Sequence, residues 1–155
     1  MPDSPAPAET LSRLTLDTLA LHRVLRTGGN DHAHTLAARI ADAQALARTA
    51  LRLFLDLTQG RSHTTAGDLL LLERVAQIAK AGQDAGAELT AALARAVENQ
   101  RRCAGTASGP VVLIGPSPQQ FIESAADLLD RIPALCHAIH PNQLVPPNPR
   151  PSQPS

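Results

Sequence analysis

The 155-residue chain contains no tryptophan, no tyrosine and only two phenylalanines. Aromatic burial therefore cannot organise its core, and the 43% of hydrophobic residues must do so as Leu, Ile, Val and Ala. Ala and Leu are strong helix formers, so the composition predicts closely spaced helices separated by thin Ala layers. Cysteine is scarce too. Cys103 and Cys136 are too few for a disulfide scaffold and lack the C-x-x-C spacing of a zinc or redox site, so both are expected to be reduced thiols. Neither sign of charge is in excess: fourteen basic residues balance fourteen acidic ones, which argues against general attraction to nucleic acid or to an anionic membrane. No apolar run reaches the roughly 18 residues of a membrane span. Residues Met1 to Glu9 carry acids and prolines where a signal peptide would place basic residues and an apolar stretch. A cytoplasmic location is the resulting expectation.

What is present is amphipathic helix between proline-rich ends. Residues 1–8 and 141–155 are expected to be disordered, since their prolines and polar residues support neither helix nor burial. The intervening segment, 9–140, reads as one all-α domain. Leu11, Leu14, Thr18, Leu21 and Leu25 recur at three and four spacing, predicting a first helix from about Glu9 to Arg26, stopped by Gly28 and Gly29. Asn30 or Asp31 is the expected N-cap of a second helix. Its heptad stripe is Leu36, Ile40, Ala43, Ala47, Ala50, Phe54 and Leu57, ended by Gly60. Thr65 and Asp68 form a capping box for a third helix reaching about Cys103, with Leu71, Val75, Ile78, Gly82, Ala85, Leu89, Ala92 and Ala96 on one face. Gly82 and Gly86 weaken its middle and invite a kink. Ser117, Pro118 and Gln120 mark the start of a fourth helix, which Pro133 should kink.

Four such helices with short connections predict an up-and-down four-helix bundle with a long third helix and disordered, proline-rich termini. Folding helix two back on helix three is expected to set Ala43 near Gly82 and Ala47 near Ile78. An uninterrupted third helix from Ala66 to Cys103 would measure roughly 57 Å, against about 43 Å for a second helix from Asp31 to Gln59, so its last turns should overhang. Leu93, Ala96 and Val97 continue an apolar face there, making Leu93, Val97 and Arg101 the expected partner-binding surface. Val111 to Ile114, in the long connection before helix four, is the expected internal cover for part of it.

Chemistry-bearing residues are few. His22, His32 and His34 should gather near one end of the bundle and His63, His137 and His140 near the other. The second set is the candidate metal site, since three imidazoles with an open position can hold zinc. His32 and His34 should point apart if both are helical. Ser62 beside His63 supplies no triad, because no orienting acid or oxyanion hole accompanies them. Arg95, Arg101 and Arg102 could meet an acidic partner while also stabilising a helix end. Ala33-His34-Thr35-Leu36 is similar to the opening of the phosphorylated helix in histidine phosphotransfer domains, which are also four-helix bundles. That resemblance implies phosphotransfer through His34. Where that family continues with Lys and Gly, this chain has Ala37 and Ala38.

With no catalytic constellation, the sequence points to a non-enzymatic helical interaction or regulatory accessory module that needs no cofactor and meets a protein partner or a second copy of itself. A small-molecule or metal-binding bundle is the alternative, with a ligand held between helices.

Overall fold

The computed structural model describes residues 5–30, 32–59, 65–105, 109, 113–139 and 144. They form α1 (Pro7–Arg26), α2 (Ala33–Thr58), α3 (Ala66–Ala104), α4 (Pro118–Leu129) and α5 (Arg131–His137), with no strand among the described residues. Each of α1, α2 and α3 packs on the next, and α4 and α5 return to both α3 and α1, closing a four-membered ring. Neighbours are antiparallel. On α1, Thr15 bonds Cys136, His22 lies 2.8 Å from Asp130 and Arg26 lies 2.6 Å from Asp127, so rising numbers on one helix meet falling numbers on the other. Arg74 closes the far end of the ring by donating to the Ala138 carbonyl at 2.7 Å. No helix among the described residues is long and apolar enough to cross a membrane.

The predicted stripes form the core. Every position named for α1 and α3 is buried, Thr18 included, its hydroxyl donating to the Leu14 carbonyl at 2.6 Å. On α2, Ile40 and Phe54 are only half-buried, whereas Leu46 and Leu53, which the heptad omits, are fully inside. Both turn toward α1 rather than α3, as their neighbours across the seam show. α3 buries Leu72, Ala79, Ala81 and Gly86 beyond its stripe because it is flanked by α2 on one side and by α4 and α5 on the other.

α3 runs as one helix through Gly82 and Gly86. Its Thr65 cap accepts from the Asp68 amide at 3.1 Å, and the Thr65 hydroxyl donates to the Asp68 carboxylate at 2.6 Å. The fourth helix does more than kink. It divides at Asp130 into α4 and α5, because Pro133 has no N–H with which to satisfy the Leu129 carbonyl. The Ser117 and Gln120 box that opens α4 is complete in both directions.

Two local expectations are corrected. Gly82 packs on Ala47, with the site of its missing Cβ 3.1 Å from the Ala47 amide nitrogen, and Gly86 faces Ala43. The α2/α3 register is thus displaced by about one turn from the expected one, an arrangement that sets both glycines against alanines. Asn30 does not cap α2, where His32 holds the N-cap position without a side-chain bond. Gly28 and Gly29, at φ of 82° and 81°, turn the chain so that the Asn30 amide donates back to the Val24 carbonyl at 3.0 Å. Asn30 is 3% exposed and shares the Val24 carbonyl with the Thr27 hydroxyl, which donates at 3.1 Å, so Asn30→Ala removes one of two donors and is expected to cost about 0.5 to 1.5 kcal/mol, measured by chemical denaturation. Asp31 and Gly60 lie outside the described residues.

Candidate partner-binding surface

With Gly86 opposite Ala43, the start of α2 lies level with about residue 96 of α3, leaving roughly eight residues, or about 12 Å, of α3 beyond it. Leu93 falls inside the overlap and is half-buried against the core. Val97 and Arg101 fall on the overhang, Val97 at 47% exposure and Arg101 exposed without an ion pair among the described residues. Arg95 and Arg102 are engaged, both by Glu98, at 3.5 and 2.8 Å.

The described part of the connecting segment leaves Val97 exposed. Val111 and Val112 lie outside the described residues, and Leu113 and Ile114 are 49% and 74% exposed instead of lying on the bundle. What ties this segment down is backbone: Arg95 donates to the Ile114 carbonyl at 3.0 Å. Arg95 and Val97 are two residues apart, hence about 200° around the helix, so the tie sits on the opposite flank.

Val97 belongs to a longer row. Gln83, Ala87, Thr90, Ala94, Val97 and Arg101 follow at alternating four and three spacing, which stacks them along one edge of α3. That edge borders α2, and a cavity of about 460 Å³ opens between the two, walled by Gln44, Leu51, Gln83 and Thr90 over a base of Ala47, Gly86 and Ala87. The small residues that let the backbones approach also leave the seam shallow on its outer side. Leu51 and Leu55 stand beside it one turn apart, 43% and 60% exposed. Sequence reasoning missed them because the heptad draws attention to Phe54 and Leu57; the signal was the alternation of Leu51, Leu53, Leu55 and Leu57, which cannot all face inward on one helix.

The histidines do not assemble from what is described. His63 and His140 lie outside the described residues, and His137 is exposed at the end of α5. No three His, Cys, Asp or Glu side chains gather as a metal would require among the described residues. His22 pairs with Asp130 beside Arg26, an exposed bridge from α1 to the α4/α5 break. His32 and His34 do not point apart: their rings stack at 5.9 Å and 15°, since His32 is the extended N-cap rather than a helical residue. His34 is exposed in the first turn of α2. Cys136 is buried, and burial raises its pKa against the smaller opposing effect of the Thr15 hydrogen bond, keeping it a thiol. No protein-family model, curated protein or solved structure matches the chain.

Proposed function

We propose that this chain is a non-enzymatic helical interaction module that engages a partner protein, or a second copy of itself, along the outer α2/α3 face. The observation that carries this reading is the exposed ridge of Leu51 and Leu55 beside a shallow cavity on the edge of α3 that continues to Val97. Exposed apolar surface gathered beside a groove marks interaction sites more often than leucines scattered singly do. Arg101, at the end of the same edge, supplies a charge free to meet a carboxylate at the rim, where such contacts steer association.

Val97→Glu tests the reading, because a carboxylate placed on the apolar edge must be desolvated or must block contact. Association is expected to weaken at least tenfold, read as loss of a dimer by light scattering or loss of a stoichiometric partner on recovery from source extract. The circular-dichroism melt should be unchanged, since Val97 is outside the core. A variant that associates as the unaltered chain does, in both measurements, would remove this face.

A further inference from the structure

α1 and α2 follow one another in the chain, yet they pack less closely than α2 and α3 do, and the outer side of their seam is open. A cavity of about 500 Å³ lies there, with the buried Leu53 at its base and Thr10 and Thr49 on its sides. Arg13 enters it from α1, and Arg48 and Arg52 enter from α2. We propose that this cavity binds an amphiphilic anion, its single phosphate or carboxylate group held by Arg13, Arg48 and Arg52 and its apolar body resting on Leu53, Ala45 and Pro5.

The three arginines are without a partner, as Arg23, Arg101 and Arg131 also are among the described residues, but of these six they alone line a cavity together. Arg26, Arg39, Arg95 and Arg102 each reach a carboxylate, and Arg74 a carbonyl. Arg13, Arg48 and Arg52 make no ion pair or hydrogen bond among the described residues, although partners are at hand. Glu9 and Asp17 flank Arg13 at four-residue spacing, and Asp56 follows Arg52 at the same spacing, the geometry in which helix ion pairs form. These three residues line the cavity instead. Arg48 and Arg52 are themselves like charges one turn apart, a repulsion that an anion between them removes. Guanidinium also suits the task better than ammonium, because its planar fork meets phosphate or carboxylate through paired bonds.

The remaining lining sets the ligand's shape. Glu9 and Asp56 lie one turn beyond Arg13 and Arg52, at the same end of the antiparallel pair, and would repel a second negative charge. The site therefore selects one anionic head over a polyanion, and the cavity volume is that of a small-molecule site. Arg48 lines the α2/α3 cavity as well, so the two sites are told apart at Arg13 and Arg52, which do not line that cavity.

Isothermal titration of the full chain tests it with octyl phosphate below its micelle concentration, inorganic phosphate and octyl glucoside as probes. Octyl phosphate is expected to bind one to one, the neutral glucoside should give no saturable heat, and Arg13→Glu with Arg52→Glu should weaken octyl phosphate at least tenfold. Arg131→Glu, an exposed arginine on α5 that does not line the cavity, should leave the binding unchanged. If the double charge reversal fails to melt cooperatively, Arg13→Gln with Arg52→Gln carries the same expectation. Octyl phosphate that does not bind at millimolar concentration, or binds the charge variants equally, overturns the site. Inorganic phosphate binding as tightly as octyl phosphate overturns the apolar half of the proposal.

Discussion

Leu89→Ala is expected to destabilise the bundle by about 2 to 5 kcal/mol, toward the upper end of that range. Leu89 is fully buried at the centre of the α3 stripe, and its neighbours along that stripe are Ala85 and Ala92, also without exposure. The cost of removing a core side chain depends on how far its surroundings collapse into the space it leaves. Methyl side chains on closely packed backbones have no rotamers with which to fill it. The single methionine, the residue that adapts best to a gap, is Met1, so none of the described core residues is a methionine. Urea denaturation with an unchanged slope and a lowered midpoint checks the value. A loss under about 1 kcal/mol would mean that the Ala layers move together freely, and the thin-layer account of this core would be wrong.

Gly82→Leu should destabilise by about 1 to 3 kcal/mol or more, because the seam has no room for a side chain. Even a Cβ at this position would stand 3.1 Å from the Ala47 amide nitrogen and 3.3 Å from its Cα, and these are backbone atoms that move only with the whole helix. Gly86 provides the contrast within the same helix. A Cβ there would meet the Ala43 Cβ at 3.7 Å, an ordinary contact, so Gly86→Ala should gain the helix propensity that glycine lacks, about 0.5 to 1 kcal/mol. Opposite signs at two glycines four residues apart are what the observed register requires. With Gly82 facing Ala43 instead, the tight and the permissive site would not fall in this order.

Both stripes of the α2/α3 hairpin are legible in the sequence, but the register between them is not. Ala43 and Ala47 present nearly the same small surface to Gly82, and a heptad pattern looks alike after a shift of one turn. Which alanine faces the glycine depends on where the chain reverses, and no residue in Gly60 to Thr64 encodes that unambiguously. Asn30 misled for a different reason. The rule for N-caps considers its side-chain oxygen as an acceptor, whereas the structure uses its amide as a donor to a helix end made accessible by Gly28 and Gly29. Val97 and Arg101 could be named from periodicity alone because they share one helix. Leu51 and Leu55, and the meeting of Arg13 with Arg52, each involve a second helix, so they become visible only once the seams are aligned.

Association through the outer α2/α3 face, as proposed, requires that another exposed apolar pair be dispensable. Leu16 and Leu19 on α1 are 67% and 46% exposed, comparable to Leu51 and Leu55, and line none of the cavities described above. The decisive measurement is association, by light scattering and by partner recovery, of Leu51→Glu with Leu55→Glu against Leu16→Glu with Leu19→Glu. The α2 pair should abolish association and the α1 pair should leave it within about twofold of the unaltered chain, both variants melting cooperatively. Association lost with the α1 pair and retained with the α2 pair would contradict the assignment.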